Sequence, residues 1–244
     1  MAIAGSRVAG RYTLVRPLGQ GASSRAYLAL GDDGQPYTVK LFFAELLGQA
    51  EREARMQVRH PHLAQVLTLS SLNGQPAVVL RYSPGVPLFE RYARRPALHH
   101  ESQAYLRTLT DVLDALSAMH QAGMLHRDVK PDNVLALPSG EARLIDYDLS
   151  GPVHEQFALP LRIGTEAYQS PEAGRGELLG PQSDLYGVGM LLYWGLCGTL
   201  PEGQWPSPGK GPLAELCRQL LHHEVSGRPG DAAQVRAELL AATP

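Results

Sequence analysis

The hydrophobic pattern of this 244-residue chain changes its period once, near residues 83–88. Before that point, short alternating stretches are separated by turn residues, and Asn73-Gly74 is a strong hairpin signal. One helical stretch, AELLGQAEREARMQVRH, interrupts these predicted strands. After that point, apolar residues recur at helical spacing. The pattern therefore predicts an α+β fold, with a small antiparallel sheet and one helix first and a larger, mainly helical part second.

Two stretches of the helical part indicate where the chain is buried. ESQAYLRTLTDVLDALSAMHQAG has one broad apolar face, whereas DLYGVGMLLYWGLCG is apolar on nearly every side and is expected to lie inside the protein. The apolar run is shorter than the roughly 20 residues that a bilayer span requires. The first residues also lack the features of a signal peptide. We therefore expect no membrane span and a cytoplasmic protein, with Cys197 and Cys217 as reduced, buried thiols.

Charge and composition exclude one class of partner and single out a few residues. The net charge is −2 and the basic residues are mixed with acidic ones, so nucleic acid is not an expected partner. The chain has only three lysines and two asparagines: Lys40, Lys130, Lys210, Asn73 and Asn133. Because arginine supplies most of the positive charge, a lysine is expected where a compact ammonium group is needed.

The segment HRDVKPDN, residues 126–133, places an acid, a cation and an amide within six positions. Phosphoryl transfer needs such groups, since the phosphate charge must be matched and a hydroxyl must be aimed in line. A solvated turn could also be rich in charge, but the whole segment resembles the catalytic loop of eukaryotic-type (Hanks-type) serine/threonine protein kinases. The resemblance implies that Asp128 accepts or orients the substrate hydroxyl, that Lys130 contacts the transferred phosphate and that Asn133 is a magnesium ligand.

The resemblance covers about residues 12–240 and implies a two-lobed protein-kinase-like fold. The N-lobe would comprise residues 12–82 and the C-lobe residues 83–240, after a short N-terminal extension of residues 1–11. ATP and Mg²⁺ would bind between the lobes, and the γ-phosphate would pass to a Ser or Thr hydroxyl of a protein substrate.

The segment LGQGASSRAYLAL resembles the glycine-rich loop of the same family. Gly19 and Gly21 match, while Ser24 replaces the third glycine and Ala26 replaces a valine. Glycines there would let backbone N–H groups approach phosphate oxygens. An ordinary glycine-rich hairpin turn could have the same sequence. The segment lies one strand before Lys40, however, and this position favours a phosphate-binding loop. Lys40, in PYTVKLF, resembles the strand lysine that holds phosphates and pairs with a helix glutamate.

Two glutamates are candidates for that pairing. The distance from HPHL favours Glu51, which also shares a predicted helix face with Leu47 and Ala54. The local string REAR favours Glu53. We choose Glu51 and keep Glu53 as the alternative.

By the same resemblance, adenine would bind between aliphatic side chains of the two lobes: Leu18, Ala26, Leu80 and Leu135. Backbone groups of residues 81–83, around Tyr82, would supply hydrogen bonds. Each aliphatic residue could equally belong to the core. Apolar walls with a few placed polar groups are typical of a small-ligand cleft.

The segment GTEAYQSPE, residues 164–172, resembles the peptide-docking segment of protein kinases. The resemblance implies that Thr165 bridges the acid and the lysine of the catalytic loop and that Glu172 pairs with Arg228. It also implies that Asp184 begins the buried central helix. These four residues, Thr165, Glu172, Arg228 and Asp184, are expected to be structural, since breaking a buried ion pair costs about 3–5 kcal/mol.

The sequence departs from the family pattern at Asp146-Tyr147-Asp148, where Asp-Phe-Gly is usual. Asp146 is expected to be a magnesium ligand together with Asn133, and the hydroxyl of Tyr147 needs a partner. Asp148 replaces a glycine whose backbone angles cost other residues about 1–2 kcal/mol. We expect Asp148 to restrict conformational switching or to place a second carboxylate near the metal.

Regulation and substrate class are open at this point. Arg127 resembles the residue that binds a phosphorylated loop in relatives, yet Ser150 is the only hydroxyl between Asp148 and Gly164. The loop is therefore either ordered without phosphate or controlled by a regulatory protein partner. Two alternatives stand beside the protein kinase: a pseudokinase that acts as an ATP-binding scaffold, which the altered glycines favour, and a small-molecule phosphotransferase, which GTEAYQSPE disfavours.

Overall fold

An antiparallel sheet forms the N-terminal part of the structure. This computed structural model describes residues 4–92, 97–155, 168–199 and 207–242. The strands of the sheet are β1 (Arg7–Val8), β2 (Tyr12–Gln20), β3 (Ser24–Gly31), β4 (Pro36–Phe42), β5 (Val66–Leu72) and β6 (Gln75–Arg81). They lie in the order β1-β2-β3-β4-β6-β5, and all neighbours are antiparallel. The predicted sheet is confirmed.

Strand β4 lies inside the sheet and carries Lys40. This residue is opposite Ala26 of β3 on one side and Val78 of β6 on the other. The β5–β6 connection is the predicted hairpin turn, in which Asn73 and Gly74 have positive φ angles of 50° and 80°. Asn and Gly are the residues that adopt these angles most readily, and this turn geometry matches the twist of the flanking strands.

Helix α1 (Leu47–Ala54) is the helix that interrupts the sheet, as predicted, and its buried residues are Ala50 and Glu53. The treatment of residues 1–11 as an extension needs a correction, because Arg7–Val8 pairs with the first residues of β2. A strand of two residues is too short for an alternating pattern to reveal it.

Helices dominate the C-terminal part. They are α2 (Leu88–Tyr92), α3 (Ala97–His100), α4 (Ser102–Gln121), α5 (Pro171–Gly174), α6 (Pro181–Cys197), α7 (Pro212–Leu220) and α8 (Ala232–Ala241). Helix α6 is buried along most of its length, as its uniformly apolar sequence predicts. It begins with Pro181 and ends at Gly198, which has a φ of 72°. A Cβ at Gly187 would lie 2.7 Å from the Cβ of Val129, so this glycine lets residues 126–133 approach α6 closely.

Two short sheets hold the segments that carry the polar motifs. Their strands are β7 (Val86–Pro87), β8 (Met124–Leu125), β9 (Val134–Ala136), β10 (Ala142–Leu144) and β11 (Gly151–Pro152). They pair in the orders β10-β9-β7 and β11-β8. Residues 126–133 connect β8 to β9, and residues 146–148 lie between β10 and β11. Because the same two sheets hold both ends of both segments, the segments lie side by side.

Apolar side chains of the two parts share one core. Phe42 and Val78 of the sheet belong to the same buried cluster as Leu116 of α4 and Leu191 of α6. In the described ranges, the two cysteines are free thiols, and no helix has the length and apolar character needed to cross a bilayer.

Candidate active site

Asp184, in the first turn of α6, anchors the loop of residues 126–133. Its carboxylate accepts hydrogen bonds from the backbone N–H groups of His126, at 2.9 Å, and Arg127, at 2.7 Å. It also lies 2.9 Å from Nε2 of His120. Burial alone would raise the pKa of Asp184, but His120 and the other hydrogen bonds lower it. The carboxylate is therefore charged at neutral pH, and it stabilises the positive φ of 67° at Arg127.

The side chains of Asp128, Lys130 and Asn133 are in direct contact. Nζ of Lys130 lies 2.7 Å from Oδ2 of Asp128. Nδ2 of Asn133 donates to the same oxygen at 2.7 Å and to the backbone oxygen of Asp128 at 2.8 Å. Because Nδ2 makes these bonds, Oδ1 of Asn133 is the atom that remains for a metal ion. The fold thus brings together the three residues that the sequence predicts as catalytic.

Lys40 of β4 forms two ion pairs in the cleft. Its Nζ lies 2.6 Å from Oε2 of Glu53 and 2.8 Å from Oδ1 of Asp146. Burial alone would lower the pKa of Lys40, but the charges of Asp146 and Glu53 raise it above its usual value. Burial would raise the pKa of Asp146, yet Lys40 holds it below its usual range. At neutral pH the site therefore contains an ammonium group beside a carboxylate.

The choice of Glu51 as the partner of Lys40 is wrong, and Glu53 is the partner. Glu53 is fully buried, whereas the side chain of Glu51 is 43% exposed and lies 3.6 Å from Arg55. Residues two positions apart on an α-helix point about 200° apart, so only one of the two can face the sheet. The prediction oriented α1 with Leu47 inward, but Leu47 is exposed and the helix buries Ala50 and Glu53 instead.

A cleft between the sheet and the helical part contains most of the predicted nucleotide-binding residues. Eight of them line it: Leu18, Gly19, Gly21, Ala26, Lys40, Leu80, Tyr82 and Leu135. The exception is Glu51. The cleft is also lined by residues that the sequence analysis did not name as binding residues, among them Thr38, Ala64 and Ile145. Strand register could have indicated Thr38, because it lies on the same strand as Lys40, two residues before it.

Tyr147 and Asp148 are both buried beside the cleft. The hydroxyl of Tyr147 donates to the backbone oxygens of Ala64, at 3.1 Å, and Leu144, at 2.9 Å, which supplies the partner that the hydroxyl needs. Oδ2 of Asp148 accepts a hydrogen bond of 2.6 Å from Oγ of Ser23. Burial and the nearby charge of Asp146 raise the pKa of Asp148 to about 7.

The backbone strain expected at position 148 is not found. Among the three residues of this segment, Asp146 has the positive φ, at 69°, and Asp148 has none. Asp148 therefore differs from the glycine of the family pattern mainly by having a side chain that can form a hydrogen bond. Sequence reasoning missed Ser23 because its partner is 125 positions away.

One carboxylate connects α1 to the loop of residues 126–133. Oε2 of Glu155 lies 2.8 Å from Nη1 of Arg52 and 2.8 Å from Nη1 of Arg127. Burial would raise the pKa of Glu155, but the hydrogen bonds from both arginines lower it. Arg52 precedes Glu53, and Arg127 precedes Asp128. Glu155 therefore links the two segments that carry the site residues.

Glu172 and Arg228 form the predicted ion pair. Nη1 and Nη2 of Arg228 lie 2.7 and 2.8 Å from the two carboxylate oxygens of Glu172, and both side chains are almost fully buried. Ser183 adds a third hydrogen bond to Glu172, at 2.7 Å. This confirms the expected pair and joins α5, α6 and the segment before α8. Thr165, the predicted bridge, lies outside the described residues.

The oxygen donors near the cleft suit a magnesium nucleotide better than a metal held by protein alone. No group of three or more His, Cys, Asp or Glu side chains in the described ranges could hold a metal ion. Mg²⁺ needs fewer protein ligands, since it keeps water molecules and binds substrate phosphates beside one or two carboxylates. Asp146 lines the cleft with a side chain that is 31% exposed, and Oδ1 of Asn133 is the second candidate ligand.

Comparisons with known proteins identify the family of the chain. A sequence model described as "Protein kinase domain" matches residues 12–209. "Probable serine/threonine-protein kinase PkwA" of Thermomonospora curvata is 32% identical over 95% of this chain and 34% of its own length. "Probable serine/threonine-protein kinase pknA2" of Bifidobacterium longum is 28% identical over 95% of this chain and 35% of its own length. "CBL-interacting protein kinase 4" of Oryza sativa is 30% identical over 90% of this chain and 50% of its own length.

This chain therefore spans about a third to a half of the length of these relatives. The match to the family model covers more than half of the 244 residues. The chain belongs to the protein kinase domain family.

Proposed function

We propose that this chain is an ATP-dependent serine/threonine protein kinase domain that transfers the γ-phosphate of ATP, bound with Mg²⁺, to a protein hydroxyl. The observation that carries the proposal is the contact of Lys40 with both Glu53 and Asp146 in the cleft. The names of the similar proteins support the serine/threonine class. Lys130, two residues after Asp128, also favours that class over a tyrosine kinase.

The side chains of the loop can orient a hydroxyl and stabilise transferred phosphate. Asp128, held by Lys130 and Asn133, would orient the hydroxyl and accept its proton. Lys130 would neutralise charge on the phosphate oxygens, and Lys40 would hold the phosphates nearer the sugar. Bound Mg-ATP would supply the phosphoryl group and part of the charge neutralisation, with Asn133 and Asp146 as the metal ligands.

The apolar end of the cleft suits the adenine ring. Leu18 and Ala26 line it from the sheet, and Leu135 lines it from the helical part. We assign the hydrogen-bonding partners of adenine to backbone groups around Tyr82, which also lines the cleft. These contacts would orient the nucleotide so that its phosphates point toward Lys40 and Asp146.

The contacts of Glu155 favour a kinase in which Arg127 does not need a phosphorylated residue as its partner. A permanent carboxylate already holds Arg52 and Arg127 at 2.8 Å each. It therefore occupies a position between the two arginines that could otherwise attract a phosphate group. We assign control of activity to a protein partner rather than to phosphorylation near Arg127.

The scaffold alternative is favoured by one observation, the buried side chain of Asp148 at the phosphate end of the cleft. A scaffold could bind nucleotide without transferring phosphate. The experiment below separates the two functions, because only the kinase transfers label to protein.

The proposal is tested by incubating the chain with ATP labelled on the γ-phosphate, Mg²⁺ and a generic protein substrate. We expect label on Ser or Thr residues of the protein, and no label when Mg²⁺ is removed by a chelator. Asp128→Ala is expected to lower the rate by roughly 10²–10⁴-fold, the usual contribution of general acid–base catalysis. Asp32→Ala removes a carboxylate from an exposed ion pair and is the matched control. Nucleotide binding without transfer would favour the scaffold.

The two glutamates of α1 offer a second test with an internal control. Glu53→Gln should lower kcat/KM by roughly 10–100-fold, because a hydrogen bond to a charged group contributes about 1.5–3 kcal/mol and here positions Lys40. Glu51→Gln changes the same chemical group two residues away, on the exposed side of the helix, and should change kcat/KM by less than about twofold. Equal losses in both variants would contradict the assignment of Glu53.

A further inference from the structure

The hydroxyl of Ser23 and the carboxylate of Asp148 form a hydrogen bond that joins the β2–β3 turn to the segment after Asp146. Oγ of Ser23 donates to Oδ2 of Asp148 at 2.6 Å, and the two residues are 5% and 6% exposed. Hydrogen bonds to carboxyl groups are strong when water cannot replace the partner. This bond therefore opposes separation of the two segments that it joins.

One further hydrogen bond orders the segment on each side of this contact. The backbone oxygen of Ser23 accepts a hydrogen bond of 3.1 Å from the N–H of Phe43, which follows β4. On the other side, Oγ of Ser150 donates to the backbone oxygen of His126 at 3.2 Å, which holds the segment after Asp148 against the catalytic loop. Joining two ordered groups costs little further conformational entropy.

The bond lies next to the positions assigned to the phosphates. Gly19 and Gly21, in the same hairpin as Ser23, line the cleft from one side, and Asp146, two residues before Asp148, lines it from the other. We expect the turn between β2 and β3 to move away from Asp146 when a triphosphate enters or leaves the cleft. Movement of that turn would break the bond between Ser23 and Asp148.

We propose that Ser23 and Asp148 are positioning residues that hold the β2–β3 turn closed over the phosphate end of the cleft and so slow the entry and release of nucleotide. A glycine at position 148, as in the family pattern, has no side chain to accept this bond. The hydrogen bond between Ser23 and Asp148 is therefore specific to the residues of this chain. The expected effect of this bond on nucleotide release rests on the proposed function, whereas its expected effect on the β2–β3 turn does not.

The first test measures the turn in the protein without nucleotide. Amide hydrogen exchange of residues 20–25 should be about tenfold faster in Ser23→Ala than in the wild type, since losing the bond favours the open turn. Ser23→Thr keeps the hydroxyl and should exchange like the wild type. Ser71→Ala, on the exposed part of β5, is the control for an unrelated hydroxyl and should leave this exchange unchanged.

The second test measures the release of a fluorescent ADP analogue by rapid mixing. Release should be about tenfold faster in Ser23→Ala, and the double variant should be no faster than Asp148→Gly alone, which also removes the interactions of Asp148 with Asp146 and Lys40. Such non-additivity is expected because each change removes the same bond. Unchanged exchange in Ser23→Ala, or additive effects in the double variant, would overturn the proposal. Failure of the analogue to bind would instead count against the proposed function, while the exchange result would still decide the role of the bond.

Discussion

Lys40→Ala is expected to lower kcat/KM for phosphate transfer by roughly 10²–10³-fold, the loss typical of removing one preorganised charge-stabilising donor. Lys40 is the only lysine that contacts both Glu53 and Asp146 in the described ranges. Its ammonium group offsets the buried carboxylate of Glu53 and the partly exposed carboxylate of Asp146, and it would hold the phosphates. In Lys40→Ala, neither the nucleotide phosphates nor Asp146 would have this ammonium group as a partner. Initial rates at several ATP concentrations would measure the effect.

A second lysine provides the matched control for this prediction. Lys210 is exposed and lies in the segment before α7, so Lys210→Ala should change kcat/KM by less than about twofold. A Lys40→Ala variant within tenfold of the wild type would contradict the role assigned to Lys40.

Stability has to be measured alongside these rates. Removing Lys40 leaves Glu53 buried without its cation, which costs about 3–5 kcal/mol when one partner of a buried pair is lost. The double variant Lys40→Met/Glu53→Gln removes both charges and should recover part of that stability while remaining inactive. Low activity together with restored thermal stability would assign the loss to chemistry rather than to unfolding.

Arg228→Met is expected to lower the free energy of unfolding by about 3–5 kcal/mol, because Glu172 would remain buried as an unpaired charge. For a domain of this size, that corresponds to a fall in Tm of roughly 6–20 °C. Arg218→Met is the control, since it breaks the exposed pair with Glu215 and should cost less than about 1 kcal/mol. Thermal unfolding followed by circular dichroism would measure both. Similar losses in the two variants would contradict the structural role of the buried pair.

The same pair predicts how stability depends on pH. Burial alone would raise the pKa of Glu172, but hydrogen bonds from Arg228 and Ser183 lower it to about 2 in the folded protein. Because the folded pKa is depressed, the contribution of the pair is complete above the unfolded pKa of about 4.5 and is lost as the pH falls toward 2. The difference in stability between the wild type and Glu172→Gln should therefore shrink between pH 5 and roughly pH 2. A difference that stays constant over that range would contradict the low pKa.

Local sequence patterns carried much of the information about the fold. The strand of Lys40, the Asn73-Gly74 turn and the buried helix after Asp184 were all indicated by hydrophobic period or turn residues. The motif of residues 126–133 indicated the polar cluster, because its members are close in sequence and the loop that joins them is short. Contacts between residues so close in sequence can be predicted without knowledge of the rest of the fold.

The rotation of α1 was not decided by its own sequence. Leu47, Ala50 and Ala54 recur at helical spacing, but only the two alanines pack on the core, Leu47 is exposed and Glu53 is buried. The apolar side chains of this eight-residue helix are one leucine and two alanines, and the pairing of Glu53 with Lys40 together with the contacts of neighbouring elements decides which face turns inward. Only the packing of α1 against the sheet therefore decided whether Glu51 or Glu53 pairs with Lys40.

Hydrophobic period and turn residues indicated the succession of strands and helices along the chain, and the resemblance to the kinase family indicated the catalytic loop and eight of the residues that line the cleft. Only the tertiary structure decided that Glu53 meets Lys40, that Ser23 meets Asp148 and that Glu155 joins Arg52 to Arg127. The physical reason is distance along the chain. Pairs separated by 13, 125, 103 and 28 positions form only when the sheet and the helical part pack together, and no local pattern encodes that packing.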